Sequence, residues 1–193
     1  MTLVQVVERV SQHREPKRGI VGTNWLVETV SLIQSKGNPE CVQSMPVWER
    51  SPWIETEIGQ KYLISNERPP LLISHLPFHL FPKSFFHSKA KVIYVMRNPR
   101  DVLVSGYFFW SKSNLVKNAD SLSTYFEWFL KGNVAYGSWF EHIRGWLSMR
   151  GSENFLLLSY EDMKKVNLGY TRHYFKRSLR KIILSSFVYF IFT

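Results

Sequence analysis

Short apolar runs, each followed at once by polar residues and then by a helical pattern, recur along the chain. The first is Leu71–Ser74, the second is Val92–Met96 and the third is Phe155–Ser159. All three are rich in branched or aromatic side chains, which is typical of strands that are buried on both faces. The alternation of such runs with helices predicts an α/β domain built on a parallel sheet.

Helical patterns surround these strands. After the second strand, Asn98 and Pro99 form a typical pair of helix N-cap and first-turn residue. The apolar side chains that follow, from Val102 to Trp110, recur at helical spacing. Other helices are predicted from the turn Gly22-Thr23-Asn24-Trp25 to about Lys36, from Tyr125 to Phe129, from Asn133 to Trp146, and after Tyr160. The sequence therefore predicts a single domain with a central parallel sheet flanked by helices.

Residues 38–70 are predicted to be irregular because five prolines punctuate them. Trp48 and Trp53 lie between these prolines. Such a segment is either the wall or lid of a pocket, or a loop whose tryptophans cover an edge of the core. The sequence leaves both alternatives open.

The two ends of the chain differ from its middle in amino-acid composition and apolar pattern. Apolar residues between Leu3 and Val10 share one helical face, which predicts a short amphipathic helix within residues 1–21. Residues 166–193 contain no acidic residue and end in an apolar-leaning run of twelve residues, which is too short to span a bilayer. This tail is typical either of a segment lying on an anionic membrane surface or of a poorly specified, aggregation-prone end, and we favour the latter.

The amino-acid composition limits the classes of protein to which the chain can belong. With 193 residues, of which 45% are hydrophobic and 16% aromatic, we expect one globular domain whose aromatic residues either line a large apolar pocket or fill the core. The single cysteine, Cys41, excludes an intramolecular disulfide and fits a reducing compartment, so we expect the protein in the cytoplasm. Residues 1–20 lack a long apolar run, so a signal peptide is not expected there.

The net charge of +10 at pH 7 is unevenly distributed. Seven of the 25 lysines and arginines lie between Lys164 and Lys181, and no acidic residue follows Asp162. Residues 1–163 carry a net charge of only +3. This moderate charge is compatible with an anionic cofactor and does not predict nucleic-acid binding.

Polar side chains stand at the carboxyl ends of all three predicted strands. His75 follows the first strand, Arg97 the second and Tyr160 the third, while Ser105 lies two turns into the helix after Arg97. The carboxyl ends of parallel strands share one edge of the sheet, where helix N-termini favour phosphates, so we expect Arg97 and Ser105 to hold an anion. The alternatives are an arginine in a surface ion pair and a purely structural histidine.

No metal site is predicted around the histidines. His75 and His79 are four residues apart, but Pro77 between them prevents the helix that would place both on one face. Neither cysteine nor carboxylate residues lie near them in the sequence.

Six strings of residues follow one another in a characteristic order and spacing: GTNWL, PVWERSPWIE, SHLPFHLFPKSFF, KAKVIYVMRNPRDVLVSGYFFW, YFEWFLKGNVAYGSWFEHIRGW and NFLLLSYEDMKK. From about Gly22 to Lys165 the chain resembles the cytosolic sulfotransferase family, and within it the hydroxysteroid (alcohol and bile-acid) subfamily. The resemblance implies an incomplete sulfotransferase fold like that of P-loop nucleotide kinases. It also implies transfer of a sulfuryl group from 3′-phosphoadenosine 5′-phosphosulfate (PAPS), without a metal, to the hydroxyl of a steroid, bile acid or other apolar alcohol.

The resemblance also implies roles for individual residues. His75 matches the general base that takes the proton of the acceptor hydroxyl. Arg97 and Ser105 match the pair that holds the 3′-phosphate of PAPS. The positions that match the 5′-phosphosulfate loop and the adenine site are Gly22, Thr23, Asn24, Trp25, which would stack on the adenine, and Tyr160. The positions that match the apolar acceptor pocket are Trp48, Trp53, Phe109 and Tyr136.

The sequence departs from the family at both ends of this region. Ile20 stands where the family has the lysine that neutralises the transferring sulfate, and Val21 stands where it has a serine. Loss of one preorganised donor of this kind lowers a rate about 10²–10³-fold. The family's Arg-Lys-Gly clamp for the 3′-phosphate and its dimerisation motif have no counterpart after Lys165, so we do not expect dimerisation through that motif.

We therefore expect three segments and two competing functions. Residues 1–21 are a divergent N-terminal segment, residues 22–165 a partial sulfotransferase domain and residues 166–193 an unrelated basic and apolar tail. The predicted function is PAPS-dependent sulfuryl transfer to an apolar alcohol, weak or absent in this form. The alternative is a non-catalytic truncated isoform or remnant of such an enzyme. Nucleic acid and a transmembrane segment are not expected.

Overall fold

The structure, a computed structural model, describes residues 21–35, 38–64, 71–113, 116–164 and 188–192. Its helices are α1 (Val21–Gln34), α2 (Glu40–Ser44), α3 (Val47–Arg50), α4 (Glu57–Ile64), α5 (Pro99–Trp110), α6 (Leu122–Lys131), α7 (Trp139–Leu147) and α8 (Tyr160–Lys164). Its strands are β1 (Leu71–Ser74), β2 (Lys91–Met96), β3 (Phe155–Ser159) and β4 (Val188–Phe192), and two 3₁₀ turns, Phe78–Leu80 and Lys83–His87, lie between β1 and β2. The amphipathic helix predicted near the N-terminus lies outside the described residues.

The strands form one parallel sheet in the order β1-β4-β2-β3. The three predicted strands are confirmed, and β2 pairs with β3 along Val92–Met96 and Phe155–Ser159. The α/β fold class is confirmed as well, because helices pack on both faces of this sheet.

Val188–Phe192, the part of the tail that the structure describes, form strand β4, so the expectation of a poorly specified end is corrected for these five residues. The strand pairs with β1 on one side and with β2 on the other, so it occupies an interior position of the sheet. Val188, Ile191 and Phe192 are buried there. A single apolar run does not reveal its partners in the sequence, because strand formation depends on the neighbours that cover the strand.

The core lies on both faces of the sheet because side chains alternate between the faces along each strand. Ile93 and Val95 of β2 pack in one cluster with residues of α1 and α8. Val92 and Tyr94 pack in the other cluster with α7, where Trp146 is fully buried. Each such buried side chain contributes about 1.5–3 kcal/mol. The two clusters fix the helices around the carboxyl edge of the sheet.

The described part of the segment 38–70 contains three helices, so the prediction of an irregular stretch was wrong there. Pro39 and Pro46 occupy the N-cap positions of α2 and α3. Proline is tolerated where a helix starts, because the backbone N–H that it lacks would have no partner inside the helix. Helix α4 packs closely on the preceding chain: a Cβ on Gly59 would lie 1.7 Å from the carbonyl oxygen of Trp53.

The start of α5 agrees with the prediction, whereas the start of α1 differs from it. Asn98 is the N-cap of α5, as predicted, and its side chain accepts a hydrogen bond of 2.9 Å from the N–H of Arg100. Pro99 is the first residue of that helix. Helix α1 already begins at Val21, so Gly22–Trp25 form its first turn rather than a turn that precedes it.

Helix α7 begins at Trp139 and not at Asn133 as predicted. Tyr136 and Gly137 have φ angles of 66° and 80°, a left-handed conformation that interrupts a right-handed helix. Ser138 then caps α7, its hydroxyl accepting from the N–H of the third helical residue at 3.4 Å. The apolar periodicity of this stretch does not show the interruption.

A buried arginine ties α1 to α3. Nη2 of Arg50 lies 2.9 Å from Oε1 of Glu28, and Nη1 donates to Oγ of Ser31 at 2.8 Å. Nε donates to the carbonyl of Met45 at 3.0 Å. Because each guanidinium nitrogen has a partner, these bonds offset the desolvation of the charge.

Candidate active site

The segment before α4 runs alongside the end of β1. Trp53 forms an isolated parallel bridge with Ile73. In this bridge the N–H of Ile54 donates to the carbonyl of Ile73 at 3.0 Å, and the N–H of Ile73 donates to the carbonyl of Pro52 at 3.0 Å. The bridge brings Glu55 next to the residues that follow β1.

Glu55 and Ser74 fix the backbone on the amino side of His75. Oε1 of Glu55 accepts hydrogen bonds from the N–H of His75 and from the hydroxyl of Ser74, the latter at 3.1 Å. The hydroxyl oxygen of Ser74 accepts in turn from the N–H of Leu76 at 3.1 Å. Consecutive backbone donors at the end of β1 are therefore paired.

His142 and Trp146 of α7 fix the carboxyl side of His75. Nε2 of His142 lies 3.1 Å from the carbonyl oxygen of His75, and Nδ1 lies 3.0 Å from Oη of Tyr94. Nε1 of Trp146 donates to the carbonyl of Leu76 at 3.0 Å. Because a carbonyl only accepts, Nε2 of His142 carries the proton and Nδ1 accepts from the tyrosine hydroxyl. This neutral tautomer joins β2, α7 and the end of β1.

Three aromatic rings surround the imidazole of His75. The ring centroids of Trp53, Tyr136 and Phe192 lie 4.4, 5.4 and 5.9 Å from its own. Burial, followed by the proximity of His142, lowers the pKa of His75 from 6.5 to about 3. Burial also lowers the pKa of His142 to about 4. Both rings are therefore neutral at neutral pH, which is the form in which an imidazole accepts a proton.

A buried carboxyl group faces this imidazole. Oε1 of Glu55 lies 3.8 Å from Nδ1 of His75. Burial raises the pKa of Glu55, while the hydrogen bonds from the backbone of His75 and from Ser74 oppose that shift. Burial and the charge of Glu55 raise the pKa of Tyr136 to about 12, so the Tyr136 hydroxyl keeps its proton.

Arg97 lies at the carboxyl end of β2 over an aromatic ring. Its Cζ is 4.5 Å from the ring centroid of Tyr160, and its Nη2 is 3.7 Å from Oδ2 of Asp101. The Asp101 side chain is more exposed than buried, so solvent screens this pair. Oε1 of Glu161 accepts from the N–H of Asn98 at 2.9 Å, which joins the turn after β2 to the turn after β3.

One cavity of about 180 Å³ at this edge of the sheet brings most of the predicted site residues together. From the predicted donor site it is lined by Thr23, Arg97, Ser105 and Tyr160. From the predicted base and acceptor pocket it is lined by Trp53, His75, Phe109 and Tyr136. The ends of three strands and the first turn of α1 thus meet at one place.

Two predicted site residues whose surroundings the structure describes, Trp48 and Asn24, do not line this cavity. Trp48 lies on α3 with 64% of its surface exposed, a position that does not support a role in the acceptor pocket. Asn24 is half-buried in α1 and does not line the cavity. For Gly22 and Trp25 the structure describes the helical backbone and not the surroundings of the residue. The roles of these four residues stay predictions, as do the roles of the predicted residues that line the cavity.

Sequence reasoning missed several residues of the site. Trp110, Tyr125, Trp139 and His142 also line the cavity. His142 lies four residues before Trp146 on the buried face of α7, and this helical periodicity was the available signal. Glu55 carried no such signal, because its contact with His75 spans 20 residues of chain.

Within residues 21–35, 38–64, 71–113, 116–164 and 188–192, no group of three or more His, Cys, Asp or Glu side chains is arranged to hold a metal ion. In the same ranges, no helix has the length and apolar character needed to cross a membrane.

The side chains that meet in the cavity are a neutral imidazole, a guanidinium and hydroxyls beside aromatic rings. Such a set can hold an anion next to an apolar molecule and can accept a proton.

Comparison with known proteins defines the class. Residues 21–168 match the model of the sulfotransferase domain, and the chain therefore belongs to the sulfotransferase family. Sulfotransferase 2A2 of Mus musculus is 69% identical over 148 residues, which make up 77% of this chain and 52% of that protein. A 3-beta-hydroxysteroid sulfotransferase of Cavia porcellus is 63% identical over 144 residues, 75% of this chain and 50% of that protein. The chain spans about half the length of these relatives.

Two solved structures share the fold. Retinol dehydratase in complex with androsterone and the inactive cofactor PAP matches with a TM-score of 0.67 and 22% identity, over 86% of this chain and 57% of that one. Mouse sulfotransferase SULT7A1 complexed with PAP matches with a TM-score of 0.54 and 28% identity, over 62% of this chain and 43% of that one. The predicted sulfotransferase fold is thereby confirmed.

Proposed function

We propose that this chain carries the PAPS-dependent sulfuryl-transfer site of a hydroxysteroid sulfotransferase. The proposal rests on one observation: a single aromatic-lined cavity brings together His75, Arg97, Ser105 and Tyr160. Membership of the sulfotransferase family supports it, as do the PAP bound in the two solved structures and the hydroxysteroid named in one relative. We place the protein in the cytoplasm and in steroid and lipid metabolism.

Arg97, Ser105 and Thr23 would hold the phosphate groups of the donor. Arg97 offers a fixed charge and several donors, Ser105 offers a hydroxyl, and Thr23 lies in the first turn of α1, where backbone N–H groups favour an anion. Tyr160, whose ring lies against the guanidinium of Arg97, would lie near the adenine. These residue types fit a nucleotide with more than one phosphate. When bound there, PAPS supplies the sulfuryl group.

Trp53, Phe109 and Tyr136 would form the walls of the acceptor pocket. Aromatic surfaces of this kind suit a steroid, bile acid or other apolar alcohol that offers one hydroxyl. His75 lies between the rings of Trp53 and Tyr136, where its neutral imidazole would take the proton of that hydroxyl. The cavity of about 180 Å³ is smaller than typical ligand pockets of about 300–1,000 Å³.

Transfer by this chain is proposed to be slow. Ile20 and Val21 stand where a lysine and a serine would face the transferring sulfate, and loss of such a donor costs about 10²–10³ in rate. The same two residues favour the alternative function, a non-catalytic form that holds the nucleotide without turnover. Dimerisation through the family's motif is not proposed. The division into residues 1–21, 22–165 and 166–193 stays a prediction.

Two measurements on the purified chain test this function. The first is calorimetric titration with PAP, and the second is turnover of PAPS with a 3-hydroxysteroid. Both are repeated with His75→Ala and, as a matched control, with His87→Gln, which changes an exposed histidine. Turnover that survives His87→Gln and is lost in His75→Ala supports the enzyme. Binding of PAP without turnover supports the non-catalytic form, and absence of PAP binding overturns the proposed donor site.

A further inference from the structure

Nδ1 of His75 is a buried nitrogen that faces a carboxylate without bonding to it. It lies 3.8 Å from Oε1 of Glu55. Neither this nitrogen nor Oε2 of Glu55 has a hydrogen-bond partner among the described residues. The two side chains are only 17% and 12% exposed, so water competes little for either group. A shift of about 1 Å brings the pair within hydrogen-bond range.

The position of Glu55 decides which nitrogen of His75 is free to react. A neutral imidazole carries its hydrogen on one nitrogen and a lone pair on the other. A carboxylate beside Nδ1 favours the hydrogen there, which leaves the lone pair on Nε2. Glu55 also accepts from the backbone N–H of His75, and His142 holds the carbonyl, so the backbone that carries the imidazole is fixed on both sides.

We propose that Glu55 is a positioning residue for His75: its carboxylate selects the Nδ1–H tautomer and stabilises the imidazolium that forms when Nε2 takes the proton of the acceptor hydroxyl. The inference rests on the proposed function. In that step the acceptor O–H bond breaks, its proton bonds to Nε2, and an electron pair of the acceptor oxygen forms the bond to sulfur. The S–O bond to the donor phosphate breaks, and its electron pair leaves with that phosphate.

The surroundings of His75 make such a partner necessary. The rings of Trp53, Tyr136 and Phe192 bring no negative charge to an imidazolium. Of the titratable groups that face His75, His142 is neutral and the Tyr136 hydroxyl keeps its proton, while Arg97 lines the same cavity with a positive charge. A buried cation without a counter-charge is strongly disfavoured, and Glu55 supplies that counter-charge at the ring.

The test observes the His75 tautomer directly. The chain is labelled with ¹⁵N-histidine, the His75 signals are assigned by their loss in His75→Gln, and the Nδ1 and Nε2 shifts are read at neutral pH. Glu55→Gln keeps the size of the side chain and an oxygen for the backbone N–H, but removes the charge. The matched control is Glu57→Gln, which changes an exposed carboxylate paired with Lys61. We expect the ratio of Nδ1–H to Nε2–H to fall about tenfold in Glu55→Gln and to stay unchanged in Glu57→Gln.

An unchanged tautomer ratio in a folded Glu55→Gln variant overturns the proposal. If that variant does not fold, Glu55→Asp keeps the charge but withdraws it from Nδ1, and a ratio equal to that of the parent chain overturns the proposal in the same way. Kinetics add a second readout: Glu55→Gln should lower kcat about tenfold or more and leave the KM for PAPS unchanged. If the parent chain neither binds PAP nor turns over PAPS, the proposed function is overturned. The tautomer selection by Glu55 is then still decided by the measured ratio.

Discussion

Nε2 of His142 lies 3.1 Å from the carbonyl oxygen of His75, and through this contact helix α7 supports the candidate catalytic histidine. His142 is 4% exposed and is held from its other side by the hydroxyl of Tyr94 at 3.0 Å. The histidine proposed to move a proton is thus positioned by a second histidine whose two ring nitrogens are both engaged.

Replacement of His142 should destabilise the fold. His142→Phe keeps a ring of similar size but removes the hydrogen bonds to the Tyr94 hydroxyl and to the His75 carbonyl. We expect a loss of about 1–3 kcal/mol in the free energy of unfolding, measured with urea. Tyr94→Phe should cost less in the His142→Phe background than in the parent chain, since the hydrogen bond between these two side chains is already absent there. Strictly additive effects would contradict the network.

Acidification should lower stability from about pH 6.5 downwards, because two buried histidines stay neutral in the fold. The pKa values of His75 and His142 fall from 6.5 to about 3 and about 4 on folding, so below pH 6.5 the unfolded chain binds protons that the folded chain does not. Their contribution is complete above pH 6.5 and is lost progressively as the pH falls towards about 3. The raised pKa of Glu55 acts in the opposite direction above pH 4.5. Urea midpoints between about pH 7 and about pH 5 should fall, and less steeply in His142→Phe.

A methyl group on Gly59 should damage the site through the backbone. In an open helix Gly→Ala gains about 1 kcal/mol, but here the new Cβ would lie 1.7 Å from the carbonyl oxygen of Trp53. We expect Gly59→Ala to lower the free energy of unfolding by roughly 1–3 kcal/mol. Gln60→Ala, at the exposed next position of α4, is the control and should be near neutral. A gain of stability in Gly59→Ala would show that α4 does not pack on Trp53.

The interior place of β4 can be tested by truncating one side chain. Ile191 is fully buried, whereas Ile64 is 84% exposed. Ile191→Ala should cost about 2–5 kcal/mol in urea unfolding, and Ile64→Ala should change stability by less than about 0.5 kcal/mol. Equal effects of the two substitutions would rule out an interior strand.

Nucleotide binding should depend on Arg97 more than on its neighbour. Arg97 lines the cavity and lies over Tyr160, whereas Arg100 is exposed on α5. Loss of a charge-assisted contact costs about 1.5–3 kcal/mol, so Arg97→Gln should weaken PAP binding roughly 10–100-fold in calorimetry. Arg100→Gln serves as the control and should bind nearly as the parent chain does. Equal weakening in both variants would point to a diffuse electrostatic effect and away from a defined site.

Local patterns in the sequence were enough to predict three strands and the helix after β2. His75, Arg97 and Tyr160 follow apolar runs directly, and parallel strands place their carboxyl ends at one edge, so their convergence followed from connectivity alone. Asn98 and Pro99 marked the start of α5 because capping chemistry is local.

Features that depend on distant partners were not predictable in this way. Glu55 reaches His75 only because the Trp53 segment bridges to β1. The left-handed turn at Tyr136 interrupts a helical pattern that the side chains alone do not reveal. β4 is a strand because it pairs with β1 and β2, and its own sequence does not show these partners. The position of Glu55 and the formation of β4 depend on contacts between residues that are far apart in sequence. The turn at Tyr136 is a backbone conformation that the residue types do not mark.

The place of β4 in the sheet also sets the order in which the molecule can be assembled. Leu71 pairs with Val188, so β1 must leave the ribosome long before its partner has been synthesised. Until Val188–Phe192 emerges, the facing edges of β1 and β2 stay open, and open edges invite pairing with other chains. The high sequence separation of these contacts also slows folding. The nascent chain therefore exposes two unpaired strand edges for as long as the centre of its sheet is missing.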